Sequence, residues 1–395
     1  MADYKVVLTG GGSGGHITPI LAVAEEIKRI KPEIDLIYIG QTGDLLGDIP
    51  AQHKSIDKIY TVRAGKFRRY HGQGIRQLLD MPTTFKNIRD VLYVLIGVFQ
   101  SLKLLSRIRP DVIFVKGGFV GVPVGLAAAI LRIPYITHDS DSVPGLANRI
   151  ISPWAKIHAV ALPKEVYAYP SDKTITTGIP LQSNFIIMTN DAKNQYRAQL
   201  GMPNDVPVLF IVGGGQGAQR INKAVSEAMP HLLKEFKDLY VVQGAGRINE
   251  LDIIKKYSTI LSSSELDRVK VFGYSFDMYL YSGSADLIIT RAGATNLAEF
   301  AMQGRACIVI PSPYLTSGHQ IKNAKYLEDN DAAVVLKEAD LEADSNRLAK
   351  QVSDLLKNPE RRNQLAINLS KFAKPNATAE LANLIIDQFS SNQDK

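Results

Sequence analysis

Two glycine-rich turns sit at matching places in the two halves of the chain, and no other feature restricts the fold as strongly. The first reads Leu8-Thr9-Gly10-Gly11-Gly12-Ser13-Gly14-Gly15-His16, the second Phe210-Ile211-Val212-Gly213-Gly214-Gly215-Gln216-Gly217-Ala218. Each follows a short apolar run that reads as a buried strand, residues 5–8 and 208–212. Each precedes an apolar spacing that reads as a helix, residues 20–30 and 221–233. A strand that turns through glycines into a helix presents bare backbone N–H groups at the positive end of a helix dipole, where an anion is favoured. Two such turns about two hundred residues apart predict two nucleotide-binding-type α/β domains in tandem. One half is then able to hold a nucleotide diphosphate and the other an acceptor.

The alternation of elements supports this. Strand-like runs at 5–8, 36–39, 112–115, 135–137 and 157–159 are separated by helical patterns, and the second half repeats the scheme at 208–212, 239–243, 269–272, 287–290, 307–310 and 333–335. Such alternation predicts parallel sheets covered by helices on both faces. The chain of 395 residues is long for one core and sufficient for two. The domains are expected at 1–185 and 186–395, divided near Gly178-Ile179-Pro180, with the last helix free to pack back on the first domain.

Composition excludes several classes. With 45% hydrophobic and 22% charged residues the chain is globular rather than disordered or fibrous. The one cysteine, Cys307, excludes a disulfide framework and a cysteine-based metal site; within Ala306-Cys307-Ile308-Val309-Ile310 it is expected to be buried and inert. Met1-Ala2-Asp3-Tyr4 lead into the first strand without a secretory pattern, so a cytoplasmic protein is expected. The net charge of +7 is modest and the aromatic residues do not interleave with basic ones, so nucleic acid is not an expected partner. The longest apolar stretch, Val91-Leu92-Tyr93-Val94-Leu95-Ile96-Gly97-Val98-Phe99, falls short of the ~18 residues that a spanning helix needs. Lys86, Arg89, Lys103, Arg107 and Arg109 flank it, and Lys66, Arg68, Arg69 and Arg76 precede it. Positive charge beside apolar residues suits an anionic membrane surface. A core helix with solvated ends is the other reading.

Neither turn matches the dinucleotide fingerprint. Leu36-Ile37-Tyr38-Ile39 runs into Gly40-Gln41-Thr42 without the acidic residue that would hold a ribose. No Lys-Ser or Lys-Thr follows either turn, which removes Walker-type chemistry. His16 opens the helix after the first turn. That position disfavours the imidazolium, so a neutral base is available there; a capping or core histidine is the bland alternative. A third turn, Lys116-Gly117-Gly118-Phe119-Val120-Gly121, follows a strand and makes Gly117 and Gly118 candidates for an acceptor phosphate, or a turn forced by packing. In His138-Asp139-Ser140-Asp141 the two carboxylates resemble an Asp-x-Asp metal clamp, although a polar loop accounts for them better. Lastly, Thr290-Arg291-Ala292-Gly293-Ala294-Thr295-Asn296-Leu297-Ala298-Glu299 turns from strand to helix. Glu299 lies too far along to cap it and is able to accept two ribose hydroxyls, unless it is an exposed surface residue. Tyr314 and Gly318-His319-Gln320 follow another strand end.

Taken in order, these motifs resemble the MurG family, the glycosyltransferases that complete lipid II in bacterial wall synthesis. The resemblance covers nearly the whole chain and rests on residues 9–16, 117–123, 213–218, 291–294 with Glu299, and His319-Gln320 with Asn323-Ala324. It implies two doubly wound, Rossmann-like α/β domains facing a cleft, the glycosyltransferase-B arrangement. It implies an inverting transfer of N-acetylglucosamine from UDP to a muramyl-pentapeptide on a prenyl diphosphate, at the cytoplasmic face of the membrane, with neither cofactor nor metal. His16 would be the base. The donor would be held by Ser13, Gly14, Gly15, Asp141, Gln182, Gly214, Gly215, Gln216, Gly217, Tyr274, Arg291, Gly293, Ala294, Thr295, Glu299, Tyr314, His319 and Gln320. Gly117, Gly118 and His138 would meet the acceptor.

The chain departs from the family pattern at four places. Asp141 stands where an asparagine is usual, Gln182 where an arginine is common, and Gly215 where a serine is usual; Gly40-Gln41-Thr42-Gly43-Asp44 lacks a Gly-Leu-Glu pattern. Three rivals therefore stay open: a non-hydrolysing UDP-sugar epimerase, which needs no apolar and basic acceptor face, another lipid glycosyltransferase, and a non-catalytic nucleotide-sugar-binding subunit, against which His16 and Glu299 speak.

Overall fold

The computed structural model describes residues 4–44, 46–66, 81–214, 217–314 and 318–390, the side chains of 81–84 and 390 excepted. Arg68, Arg69, Arg76, Gly215 and Gln216 lie outside the described residues.

Two parallel sheets organise the chain. The first contains β1 (Lys5–Gly10), β2 (Asp35–Gln41), β3 (Lys58–Val62), β4 (Val112–Gly117), β5 (Tyr135–Asp139), β6 (Ile157–Val160) and β7 (Thr174–Thr176), in the order β3-β2-β1-β4-β5-β6-β7. The second contains β8 (Val208–Val212), β9 (Tyr240–Gly244), β10 (Val269–Phe272), β11 (Leu287–Thr290), β12 (Cys307–Val309) and β13 (Val334–Val335), in the order β10-β9-β8-β11-β12-β13. The two strands after each first strand lie on one side of it and the later ones on the other. The order therefore reverses between β1 and β4 and between β8 and β11, the points where open α/β sheets bind ligands. The predicted class, two doubly wound α/β domains, is the observed one. β3 and β7 went unread as strands; both lie at the edges of their sheet.

The chain divides into two compact units. Residues up to Ser183, the Tyr314–His319 segment and residues from Lys374 onward belong to one; Asn184–Pro313 and Gln320–Ala373 belong to the other. In the first, β1, β2, β4 and β5 are sandwiched between two apolar layers. Val6, Leu8, Leu36, Phe114 and Ile136 face a layer that includes the chain's last helix, through Leu381, Ala382, Ile385 and Phe389. Val7, Ile37, Ile113, Val115 and Tyr135 face the other. Tyr4 and Phe389 stack at 4.4 Å. Burying a leucine, isoleucine or phenylalanine side chain contributes about 1.5–3 kcal/mol, and three of them, Leu381, Ile385 and Phe389, hold the terminal helix on this unit. The second unit has the same plan: Leu209, Ile211, Leu287 and Ile308 face one layer, Val208, Phe210, Ile288 and Cys307 the other. Cys307 is buried, and burial pushes its thiol far up.

The helix Met81–Ile108 is not a core helix, the alternative reading of this stretch. Asp90, Ser101 and Leu105 are buried, but Phe85, Ile88, Val91, Leu92, Leu95, Ile96 and Phe99 are exposed, the two phenylalanines by 66% and 73%. These residues recur at helical spacing and form one apolar face. Short uninterrupted runs hid a further property: residues 85–108, as one helix, are long and apolar enough to cross a membrane by length and composition.

Candidate active site

In the first unit the site is built where β1 and β4 end side by side, Gly10 opposite Gly117. The two turns that follow interlock. Gly118 has φ +77°, and a Cβ there would stand 2.4 Å from the Gly11 carbonyl oxygen. Gly12 has φ +80°, and its Cβ would fall 2.5 Å from the Phe119 ring. Only glycine permits that approach. Asp44 accepts a hydrogen bond from Gly12 N–H at 3.0 Å, so this amide is already engaged.

His16 is the third residue of the helix Gly14–Ile30, with Ser13 at the N-cap. The Ser13 hydroxyl lies 2.9 Å from His16 Nδ1. Burial, and then the Lys116 ammonium, push the imidazole pKa down to about 4, against Asp141, the Gly11 carbonyl and Asp44. His16 is therefore neutral at pH 7 and able to accept a proton. Its Cδ2 lies 3.7 Å from where a Gly117 Cβ would stand, so His16, Gly117 and Gly118 are brought together. Asp141 lies near them and is half-buried, as are Ser13, Gly14, Gly15 and Gln182.

Two neighbouring side chains serve the fold. Both carboxyl oxygens of Asp139 serve the protein: Oδ1 accepts from Gly145 N–H at 3.0 Å, and Oδ2 from the Tyr169 hydroxyl at 2.9 Å. Asp139 and Asp141 thus do not form a matched clamp. His138 is fully enclosed, and its Nε2 lies 2.8 Å from the Gly178 carbonyl oxygen. A carbonyl only accepts, so Nε2 carries the proton, and burial together with Lys116 keeps the ring neutral. His138 ties β5 to the 177–182 segment and presents no surface to an acceptor.

In the second unit β8 and β11 end side by side. After β8, Gly214 has φ +98° and Gly217 N–H donates to the Gly214 carbonyl at 2.8 Å, closing the turn before the helix Gln219–Glu235. After β11 comes Arg291, then Gly293 as N-cap of the helix Ala294–Met302, whose first residues are Ala294 and the buried Thr295. Arg291 Nη1 donates to the Ile310 carbonyl at 3.0 Å and pairs with Glu338 Oε1 at 2.5 Å. The other oxygen of Glu338 takes Arg220 Nη1, also at 2.5 Å. Asn323 Nδ2 donates to the Ala292 carbonyl, and Gln320 Oε1 accepts from Ser312 N–H.

Glu299 is buried, not the surface residue of the bland reading. Its carboxyl has no hydrogen bond among the described residues, and burial pushes its pKa up to about 8. Tyr274 is half-buried under the Arg247 guanidinium, 4.9 Å from the ring centre; His319 is half-buried and Tyr314 exposed. Lys116, Arg220 and Glu338 were given no role from sequence. A lysine closing an apolar strand and an arginine opening the helix after a glycine turn are local signals for the first two. Glu338 has none, being linked to Arg291 only through the fold.

Comparison with known proteins agrees with this geometry. The glycosyltransferase family 28 N-terminal domain matches residues 6–160, and the family's C-terminal domain matches residues 208–381. A relative from Caldicellulosiruptor saccharolyticus, a UDP-N-acetylglucosamine–N-acetylmuramyl-(pentapeptide) pyrophosphoryl-undecaprenol N-acetylglucosamine transferase, is 32% identical over 98% of this chain and 99% of its own. The crystal structure of Acinetobacter baumannii MurG superposes with a TM-score of 0.66 at 25% identity, over 97% of this chain and 99% of that one. A UDP-GlcNAc 2-epimerase from Neisseria meningitidis, solved with UDP-GlcNAc, reaches a TM-score of 0.65 at 14% identity, over 97% of this chain and all of that one; it shares the fold alone. With both halves matched and a relative similar end to end, the chain belongs to glycosyltransferase family 28 and, within it, to the MurG family.

Proposed function

We propose that the protein transfers N-acetylglucosamine from UDP-N-acetylglucosamine to a muramyl-pentapeptide carried on a prenyl diphosphate, with inversion at the anomeric carbon. The observation that carries this is His16: a neutral imidazole at the head of a helix, beside Gly117 and Gly118. Nε2, the nitrogen not paired with Ser13, takes the proton of the acceptor hydroxyl as its oxygen attacks. Arg291 and the amides at the start of the helix Ala294–Met302 stabilise the leaving diphosphate. Glu299 accepts the ribose hydroxyls, and Gly214 keeps the backbone open to the nucleotide. UDP release that requires both the sugar nucleotide and the lipid-linked acceptor tests this reading. The epimerase alternative has fold-level likeness at 14% identity on its side, whereas the similarity to transferases reaches 32%.

The enzyme meets its acceptor as a peripheral protein on the cytoplasmic side of the membrane. The apolar face of the 81–108 helix supports this, with Lys86, Arg89, Lys103 and Arg107 exposed on the same helix. Arg63 and Arg89 lie 5.5 and 5.4 Å from the Tyr93 ring centre, so positive charge borders the apolar residues. Such a face inserts shallowly while its cations meet anionic headgroups.

A further inference from the structure

We infer that Lys116 recognises the diphosphate of the acceptor and places that charge beside His16. This rests on the transferase reading above. β4 is the central strand of its sheet, and Val112, Ile113, Phe114 and Val115 are fully buried. The lysine that follows is 2% exposed. A buried ammonium costs several kcal/mol unless its protons and charge are satisfied. It has three protons. One goes to the Ser140 hydroxyl at 2.8 Å, and no other hydrogen bond is made among the described residues. The nearest buried carboxylate, Asp139, already accepts from Gly145 and Tyr169. Two ammonium protons therefore remain at the carboxyl end of the sheet, next to the Gly117-Gly118 turn.

A second enclosed polar atom points to the same place. Asn148 Nδ2 donates to the His138 carbonyl, which fixes the amide, and its Oδ1 is buried without a partner. That oxygen lies 3.7 Å from where a Gly117 Cβ would stand. Donors and an acceptor are thus both unused around one glycine, as a ligand with phosphoryl oxygens and a hydroxyl requires. The other diphosphate in the reaction, the donor's, has Arg291 and Arg220 in the second unit.

Charge couples the site to the base. Lys116 and His16 repel one another when both are charged; Asp141 and Asp139 draw on Lys116, Asp141 and Asp44 on His16, and His138 is neutral. A diphosphate on Lys116 reverses the field at His16. The imidazole gains proton affinity as the acceptor arrives and is freed of it when the product leaves.

The test uses the full chain and Lys116→Met, with Lys116→Gln as a second neutral variant. The acceptor KM is expected to rise tenfold or more, with the UDP-N-acetylglucosamine KM within twofold of wild type. Imidazole NMR of His16 is expected to show an upward pKa shift when inorganic pyrophosphate is added to wild type and no response in either variant. An unchanged acceptor KM, a change in the donor KM alone, or an equal pyrophosphate response in the variants overturns the inference. The NMR arm needs no turnover. A pyrophosphate response that depends on Lys116 in a protein that transfers no sugar upholds the anion site and sinks the transferase reading instead.

Discussion

The Ser13 hydroxyl and His16 Nδ1 lie 2.9 Å apart at the start of one helix, so the side chain at the N-cap position orients the ring instead of capping a backbone N–H. His16→Ala is expected to lower turnover by about 10² or more, the usual contribution of a positioned general base. UDP affinity should change far less. Ser13→Ala keeps the base and loses its orientation, so its kcat should fall by a smaller factor. Because burial and Lys116 push the His16 imidazole of the ligand-free protein down to about 4, kcat/KM should stay flat from pH 7 down to about 5. An acid limb near 6.5 would show an ordinary, solvated histidine.

Glu299 gives a pH dependence of opposite sense. Its carboxyl is raised from 4.5 to about 8 in the folded protein. Between these values the unfolded chain ionises the group first, so stability falls as pH rises. Glu299→Gln should remove that slope and stabilise the ligand-free protein by at most about 3 kcal/mol at pH 7, in urea titrations at several pH values. The same variant should bind uridine more weakly, by about 0.5–1.5 kcal/mol or roughly two- to tenfold, because an amide offers one accepting oxygen to the ribose where the carboxyl offers two. Equal uridine affinity by calorimetry removes Glu299 from the ribose site.

Glu338 joins two arginines that come from different strand ends. Glu338→Ala leaves Arg291 enclosed without its counter-charge, which should cost about 3–5 kcal/mol of stability by chemical denaturation. The Michaelis constant for UDP-N-acetylglucosamine should rise as the guanidinium loses its support. A variant as stable as wild type would mean that Arg291 is held by the Ile310 carbonyl instead.

Flotation with liposomes examines the apolar face of the 81–108 helix. The protein should float with anionic vesicles, less so as salt rises, and Phe85→Ser combined with Phe99→Ser should abolish flotation while leaving the fold intact, since both side chains are exposed. Equal recovery on neutral and anionic vesicles, or none on either, ends the docking proposal.

What was legible in the sequence was local. Buried strands announced themselves as apolar runs, and each glycine turn marked a strand end. β3 and β7 escaped because edge strands are half solvated: Lys58-Ile59-Tyr60-Thr61 is exposed along its length, so no apolar run records it. Residues 91–99 show apolar content, but only the fold shows that this content faces outward. The Lys116–Ser140 and Arg291–Glu338 pairs bring together groups from separate strands and turns, a result of sheet order that no spacing encodes. The enclosure of His138 was hidden for the same reason: alternation along β5 does not reveal that the Gly178 carbonyl meets its ring.

Mass analysis of the lipid product decides whether the protein transfers sugar. The protein is incubated with UDP-N-acetylglucosamine, with and without a prenyl-diphosphate-linked muramyl-pentapeptide. The lipid should gain one N-acetylhexosamine and UDP should appear in equal amount, only when both substrates are present and not with His16→Ala. A lipid of unchanged mass, alongside a sugar nucleotide converted to its C-2 epimer or left intact, would contradict sugar transfer.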